Sequence, residues 1–307
     1  MYTIMLNKDD MPMKWLIAGC VVLLLAAFWE IYRELHSFQM THYTVKSAKW
    51  PENAAEDKVI FLSDLHEHLY GERNKELLAA IRKEHPAAIL IGGDMLVAKK
   101  GKSSAAMGIT FQNSAEFVDN LQKICPVYYV NGNHEQRMKE QTEFYGDNYI
   151  NYRKAFKNEN LTFLENESAD LIIGGKEMRL SGLELPMETY EKFKHPEVSA
   201  SDITKLLGEC PGNKFQILLA HNPEYAESYL AWGADLILCG HLHGGLICLP
   251  GGKSVITPQF HLFPKYAGEM TKMGEQSVIV SRGLGTHTIH VRLFNRAEVI
   301  VLHMKGK

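Results

Sequence analysis

Five apolar segments of this sequence end in residue types that bind metal ions. Asp64 and His66 follow VIFL, Asp94 follows AILI, Asn133 and His134 follow VYYV, His221 follows ILLA, and His241 and His243 follow LILC. Asp and Asn alone are explained as turn formers or helix N-caps, and an isolated pair of histidines is usually structural. Neither explanation accounts for histidines placed in the same way in four segments. We therefore predict a metal site.

The composition of this set indicates which metal chemistry it supports. The predicted ligands are Asp64, His66, Asp94, Asn133, His221, His241 and His243. Nitrogen and oxygen donors without thiolate suit Mn, Fe, Zn or Co better than Mg or Ca. These ligands are too many for one ion, but two ions about 3.5–4 Å apart, bridged by a carboxylate and a water-derived oxygen, would use them all. Such a pair activates water and holds a phosphate ester in line for attack.

The elements that must position these residues alternate between strands and helices. Near-continuous apolar runs predict strands buried on both faces, at KVIFL, AAILI, VYYV, FQILLA and ADLILC. Amphipathic patterns predict helices at RNKELLAAIRKEH, SAEFVDNLQKI, NYRKAFKN and EYAESYLAWG. Residues 161–185 predict a strand and a hairpin that turns at Gly174 and Gly175, and the C-terminal part predicts strands at SVIVSRGLG, VRLFN and EVIVLHM.

This order predicts an α/β fold in which two sheets pack together with helices outside. In open α/β sheets, ligands bind at the carboxyl edge of the strands, where all the predicted metal ligands lie. The formal net charge of −3 provides no electrostatic basis for nucleic-acid binding. The five cysteines are scattered and form neither a disulfide framework nor a CxxC zinc pattern.

The N-terminal part differs from the rest of the chain. Residues 15–29 carry no charge and have a tryptophan at each end, which is typical of a membrane helix with aromatic belts. We predict a membrane anchor over residues 1–34, a linker or arm over 35–56 and a catalytic domain over 57–307. A cleaved signal peptide and a buried core helix are the alternatives, although no clear cleavage site follows. Lysines and arginines flank the segment on both sides, so its orientation is not encoded.

The metal-ligand segments together resemble the calcineurin-like metallophosphoesterases. The five blocks D-x-H, GD, GNHE, H and GHxH are present in the order that the family shows, between residues 58 and 245. The resemblance implies a four-layer fold, a two-sheet sandwich flanked by helices. Further along, GHLHGG, PGG, LFPKYAG and SRGLG look like the membrane-associated phosphodiesterase branch, which includes bacterial envelope proteins and relatives that cleave UDP-2,3-diacylglucosamine. The usual PE of that branch is Ala297-Glu298 here.

The resemblance also implies a role for each residue. Asp64, His66 and His243 would bind one ion, Asn133, His221 and His241 the other, and Asp94 would bridge the two. His134 is implied to be the general acid or charge stabiliser for the leaving alkoxide. The alternative for His134 is a partner that orients Asp94 or Asp64.

The expected function is hydrolysis of a phosphodiester or pyrophosphate bond by an anchored enzyme with two Mn, Zn or Fe ions. The substrate would be a small molecule, such as a nucleotide, or a lipid-linked phosphoester. A phosphomonoesterase or phosphoprotein phosphatase is the alternative, and a non-catalytic scaffold on the same fold is a remote one. The apolar, aromatic stretch FHLFPKY, residues 260–266, is interpreted as an acyl-chain contact, a membrane-interface segment or part of the core.

Overall fold

The computed structural model describes residues 10–50, 57–98, 110–191, 194–245, 247–249, 253–257, 262–286 and 290–306. The α-helices within these ranges are α1 (Asp10–Leu35), α2 (Lys75–Lys83), α3 (Gln112–Leu121), α4 (Asn133–Glu140), α5 (Thr142–Tyr145), α6 (Asn148–Lys154), α7 (Ala200–Leu207) and α8 (Ala226–Trp232). The first strands are β1 (Phe38–Ser47), β2 (Lys58–Leu62), β3 (Ala88–Ile91), β4 (Val127–Tyr129), β5 (Leu161–Phe163), β6 (Glu167–Ile173) and β7 (Lys176–Leu183). The others are β8 (Phe215–Ala220), β9 (Leu236–Cys239), β10 (Ile247–Cys248), β11 (Ser254–Ile256), β12 (Met270–Met273), β13 (Gln276–Val280) and β14 (Ala297–Gly306).

Two six-stranded sheets form the centre of the molecule. Their strand orders are β1-β14-β2-β3-β4-β5 and β12-β13-β9-β8-β7-β6, and β10 and β11 form a separate pair. Side chains from the facing sides of both sheets fill one apolar core, which includes Val59 and Phe61 of β2 with Ile217 and Leu219 of β8. The two-sheet α/β fold predicted from the sequence is confirmed.

The central strands are almost entirely apolar because both of their faces are buried. In β2, Val59 and Phe61 enter the core between the sheets, whereas Ile60 and Leu62 enter a second core beneath the outer helices. The amphipathic helix α2 contributes Leu77 and its neighbours on the same stripe to that second core. This arrangement gives one layer of helices outside the first sheet, and α7 and α8 cover the second sheet in the same way.

The predicted hairpin is confirmed, whereas one predicted strand is wrong. β6 and β7 pair in antiparallel fashion around Gly174 and Gly175, which both have positive φ. Residues 291–295, VRLFN, form only an isolated bridge between Leu293 and Ile247. The buried guanidinium of Arg292 is the reason, because it donates hydrogen bonds to the backbone carbonyls of nearby residues, and the segment bends around it.

The linker predicted over residues 35–56 contains a strand of the first sheet. β1 pairs in parallel with β14 over its full length, from Phe38 opposite Ala297 to Ser47 opposite Gly306. From His42 to Ser47, exposed residues alternate with buried or partly buried ones, which suits an edge strand with one exposed face. Only His36 and Ser37 separate α1 from β1, and residues 51–56 lie outside the described ranges.

The helix α1 is long and apolar enough to cross a membrane. Its candidate span, Met13–Leu35, has a mean hydropathy of 2.0, and none of its most apolar window is buried. The alternative of a buried core helix is therefore wrong. A membrane anchor and a signal sequence both fit these properties, so this observation does not distinguish them.

Candidate metal centre

The predicted site residues meet where the carboxyl edges of the two sheets adjoin. β2, β3 and β4 of the first sheet lead into Asp64, Asp94 and Asn133, and β8 and β9 of the second lead into His221 and His241. Because these five strands are parallel within their sheets, their polar ends share one edge. Every predicted site residue is buried except His241, which is partly exposed.

Three overlapping groups of donor atoms form the site, and within each group all donor atoms lie within 4.8 Å of one another. One group consists of Asp64, His66 and His243, and a second consists of Asp94, His221 and His241. The third joins His66, Asp94 and His134. The first group contains the residues of one expected set. The second contains His221 and His241 of the other set together with Asp94, which also belongs to the third group. The geometry thus supports two adjacent ions, while the role of each residue stays a prediction.

The two carboxylates lie within reach of several imidazoles. Asp64 Oδ1 is 3.5 Å from His243 Nε2, 3.8 Å from His221 Nε2 and 3.9 Å from His66 Nε2. Asp94 Oδ2 is 3.1 Å from His221 Nε2. The Nε2 atoms and the carboxylate oxygens therefore face common positions that a metal ion could occupy.

The tautomers of three histidines fit metal binding. The Nδ1 atom of His66 lies 3.3 Å from the carbonyl oxygen of Leu96, and that of His243 lies 3.0 Å from the carbonyl oxygen of Gly285. His221 Nδ1 contacts a backbone carbonyl in the same way. A carbonyl oxygen only accepts, so each ring, when it is neutral, has its proton on Nδ1 and directs the Nε2 lone pair into the site. Lone pairs facing carboxylates are stabilised by a cation between them.

The electrostatics of the site also favour a cation. Burial raises the pKa of Asp64 to about 6, and the neighbouring Asp94 carboxylate adds to this rise. Burial acts in the opposite direction on His221, yet Asp94 and Asp64 raise the pKa of this imidazole to about 10. Although burial opposes the charged form of Asp94, His221 and His134 hold its pKa well below the usual value. Two buried carboxylates thus stabilise positive charge at this point.

The amide of Asn133 lies against the second group. One terminal atom of this amide is 2.9 Å from His241 Nδ1 and 3.3 Å from Asp94 Oδ2. With its oxygen in this position, the amide faces two atoms of the second group, while its assignment as a metal ligand stays a prediction. The fit is that of a site with mixed oxygen and nitrogen donors.

His134 belongs to the third group, beside His66 and Asp94. Its Nε2 atom is 3.9 Å from Asp94 Oδ2, and its ring makes an edge contact with His66 at a centroid distance of 5.1 Å. Its Nδ1 atom is 2.9 Å from the carbonyl oxygen of Ala98. The backbone N–H of His134 donates to Asp94 Oδ1, 2.8 Å away, so this residue also orients the carboxylate. The geometry is compatible with both roles considered from the sequence.

Glu135 is a site residue whose role the sequence did not reveal. It is fully buried, and its carboxylate accepts hydrogen bonds from the backbone N–H groups of Asp94 and Met95, both at 2.8 Å. It also accepts from the backbone of Gly132 and from the hydroxyl of Tyr129. One side chain therefore joins the loops that carry Asp94 and Asn133. The available signal was a glutamate three residues after a helix N-cap.

Asn295 holds the loop that carries His243, as Glu135 holds the loops that carry Asp94 and Asn133. Its buried side-chain amide donates to the carbonyl oxygens of His243, at 2.7 Å, and of Gly245, at 2.5 Å. It therefore fixes the loop that carries His243. This residue lies far from the metal-ligand segments in sequence, and no local pattern marks it.

The sequence model of the calcineurin-like phosphoesterase family matches residues 57–245, which include every predicted site residue. The chain belongs to the calcineurin-like phosphoesterase family. This calcineurin-like phosphoesterase is 25% identical over 264 residues to phosphodiesterase YaeI of Escherichia coli K12, covering 84% of this chain and 85% of the relative. It is 24% identical over 281 residues to YkuE of Bacillus subtilis strain 168, an uncharacterized metallophosphoesterase, covering 90% and 88% of the two chains.

Among solved structures, the calcineurin-like phosphoesterase is similar to TT1561 of Thermus thermophilus. The TM-score is 0.42 at 14% identity, and the match covers 75% of this chain and 91% of that chain. The family membership and the buried clusters of histidine and aspartate together identify a metal-dependent hydrolase of phosphoesters with a site for two divalent ions.

Proposed function

We propose that this enzyme hydrolyses phosphodiester or pyrophosphate bonds at a centre of two Mn, Zn or Fe ions. One ion would be held by Asp64, His66 and His243, the other by Asn133, His221 and His241, with Asp94 between them. The observation that carries the proposal is the position of Asp94, whose carboxylate belongs to one donor group with His221 and to another with His66. The relative in E. coli, which is named a phosphodiesterase, supports a diester over a monoester.

A bound pair of divalent ions would supply Lewis acidity and an activated water nucleophile. The protein's own residues would orient the reacting groups and exclude bulk water, since the ligands are almost completely buried. His134 directs Nε2 into the cluster, where a protonated imidazole can donate to the oxygen of the leaving group. Ala98 contacts the opposite ring nitrogen and holds the ring in place.

The N-terminal segment, residues 1–34, would act as an uncleaved anchor that holds the enzyme at the cell membrane. The packing of the last turn of α1 supports this role. Glu34 is buried, and its carboxylate accepts a hydrogen bond from the backbone N–H of Asn295 at 2.6 Å. A leader that is removed has no need of a buried contact with the folded domain. The catalytic domain, proposed over 57–307, would also include β1.

The experiment uses the full chain in detergent, stripped with a chelator and titrated with Mn²⁺. We expect about two metal equivalents to restore cleavage of bis(p-nitrophenyl) phosphate, with weaker cleavage of p-nitrophenyl phosphate. His134→Gln should lower kcat by about 10²–10⁴-fold while it retains both metals. His195→Gln, at an exposed histidine, is the matched control.

Each negative outcome overturns a different part of this proposal. If metal binds but neither ester is cleaved, the substrate class is wrong. If no metal binds, the ligand assignment is wrong. If His134→Gln stays fully active, this residue orients Asp94 and is not the general acid.

A further inference from the structure

The topology places the end of α1 at the catalytic edge of the first sheet. β14 runs antiparallel to β2, and β1 runs parallel to β14. The first residue of β1, Phe38, pairs with Ala297 and therefore lies at the end of the sheet where β2 finishes and Asp64 follows. The helix thus leaves the domain from the edge that carries the metal ligands.

The connection between helix and domain is short and hydrogen-bonded. Ser37 Oγ donates to the carbonyl oxygen of Arg33 at 2.7 Å, and the His36 ring stacks on that of Tyr32. Glu34 binds the backbone of Asn295, whose side chain in turn holds the carbonyl oxygen of His243. The end of the helix therefore has a fixed position relative to the metal site.

An exposed apolar surface adjoins this junction and the loop that follows His243. Four residues form a lateral row across β10, β11 and the two isolated bridges beside them, in the order Leu293, Ile247, Ile256 and Leu262. Residues paired across a sheet point to the same face. Ile247 is 40% exposed and Leu262 is 66% exposed, and Leu293 and Ile256 are partly exposed, whereas Cys248 and Ser254 point inwards and are buried. We call this row, together with Leu249, Phe263 and Phe294, the apolar face.

The apolar face adjoins both the loop that follows His243 and the segment that contacts the end of α1. Gly245, two residues after His243, packs so closely on Ser254 that a Cβ there would overlap it. Phe294, 45% exposed, directly precedes Asn295, which contacts the end of α1. Of the stretch FHLFPKY, Leu262 and Phe263 belong to this face and Tyr266 is buried, while residues 260 and 261 lie outside the described ranges.

We infer that the apolar face lies in the interface of the bilayer that α1 spans, so that the metal site faces the membrane and hydrolyses phosphodiesters at the level of the lipid headgroups. This inference rests on the proposed anchor and the proposed activity. The bilayer is the favoured occupant because the anchor ends beside this face and fixes its distance from the membrane. Exposed leucine, isoleucine and phenylalanine next to an anchor are typical of segments that enter the headgroup region.

The first test measures contact with lipid independently of activity. Full-length chains are reconstituted into vesicles of phosphatidylcholine and phosphatidylglycerol whose acyl chains are brominated. Three variants each carry one fluorophore, and in all of them Cys125 and Cys210 are replaced by alanine. The first is labelled at the native Cys20 in the span. In the other two, Cys20 is also replaced by alanine, and the label is at Leu262→Cys or at Ile172→Cys. Ile172 is the matched control because it is 71% exposed and pairs with Glu177 near the start of β7. It therefore lies at the amino edge of the second sheet, away from the metal ligands.

We expect the bromolipid to quench the labels at Cys20 and Leu262→Cys, and to quench the latter at least about twofold more than the label at Ile172→Cys. If Cys20 is quenched but the other two labels behave alike, the inference is overturned and the anchor stands; a protein partner or solvent then covers this face. If Cys20 is not quenched, the proposed anchor itself fails, and the inference fails with it.

The second test measures the consequence for hydrolysis. A p-nitrophenyl phosphodiester of diacylglycerol in vesicles is compared with soluble bis(p-nitrophenyl) phosphate. Leu262→Glu should lower kcat/KM about tenfold for the lipid-borne ester and leave the soluble ester within about twofold, because the charge opposes contact with the bilayer. Ile172→Glu should change neither. Equal losses on both esters, or none, would overturn the inference, whereas an unmodified chain that cleaves neither ester would contradict the proposed activity instead.

Discussion

His66 and His243 are 177 positions apart in the chain, yet their Nε2 atoms lie 3.1 Å from each other. Their rings stack with centroids 5.0 Å apart, and each Nδ1 atom contacts a backbone carbonyl. Two imidazole lone pairs at this distance repel each other unless a proton or a metal ion lies between them. Because Asp64 Oδ1 lies 3.5 Å from His243 Nε2, this pair favours a cation on the Asp64 side of the centre.

Replacing His243 with alanine should remove one ion. We expect the metal content, measured by elemental analysis, to fall from about two equivalents to about one. The loss in kcat/KM should exceed the roughly 10–100-fold that follows removal of an outer partner of a metal ligand. His195→Ala, at an exposed histidine, should keep both ions. Two tightly bound ions in His243→Ala would contradict the assignment of this ligand.

Metal binding should stabilise the folded chain. Ligand present at 100 times its Kd contributes about 2.7 kcal/mol to the free energy of unfolding, and about 2–4 °C of Tm per kcal/mol is usual for a domain of this size. Saturating Mn²⁺ should therefore raise the Tm of the stripped protein by about 5–10 °C in a thermal melt. The same titration of His221→Ala should give a smaller rise, and an equal rise in both proteins would place the stabilising ion elsewhere.

Glu135→Gln should weaken both stability and activity. The glutamine amide nitrogen would face a backbone N–H in place of an accepting oxygen, so at least one buried donor loses its partner at a cost of about 1–3 kcal/mol. Asp94 would then be positioned less well, and kcat should fall more than KM changes. Tyr129→Phe removes only the hydroxyl that reaches Glu135, so it should leave kcat nearly unchanged. Denaturant melts and steady-state kinetics on both variants check this, and equal kcat values would show that Glu135 does not position Asp94.

Gly132→Ala should disrupt the site through steric overlap. A Cβ at this position would overlap Asp94 Oδ1, and one at Gly93 would overlap the backbone of Gly132. We expect Gly132→Ala to lower kcat/KM about 100-fold or more, since small displacements of catalytic groups have effects of this size. Gly212→Ala is the control, because nothing lies within 4 Å of its Cβ and its φ is not positive. Similar activity in both variants would argue against a tight fit of these loops.

The sequence predicted the residues of the candidate site better than it predicted the framework around them. Each predicted ligand follows an apolar run, and parallel strands place their carboxyl ends at one edge, so local patterns sufficed to bring Asp64, Asp94 and His221 together. The same patterns did not predict how the strands between β4 and β8 are divided, with β5 at the edge of the first sheet and β6 and β7 in the second.

The features that the sequence did not predict all depend on distant contacts. β1 is a strand because β14 lies beside it, and its own composition is mixed. Asn295 becomes part of the site only because the fold brings it to the carbonyl of His243. Arg292 prevents a strand at VRLFN through bonds to carbonyls of Gly283 and Gly285. The periodicity of apolar residues along the sequence does not indicate which distant residues will be in contact.

The pairing of β1 with β14 has a consequence for how the protein is made. Thr41 of β1 donates a hydrogen bond to Glu298 of β14, a residue 257 positions later in the chain. The strand β1 therefore cannot pair until β14 has been synthesised, and contacts of such long range form slowly. A nascent chain that does not yet contain these residues has an unpaired β1 strand and no Asn295 beside His243. Folding of the catalytic edge thus follows synthesis of β14.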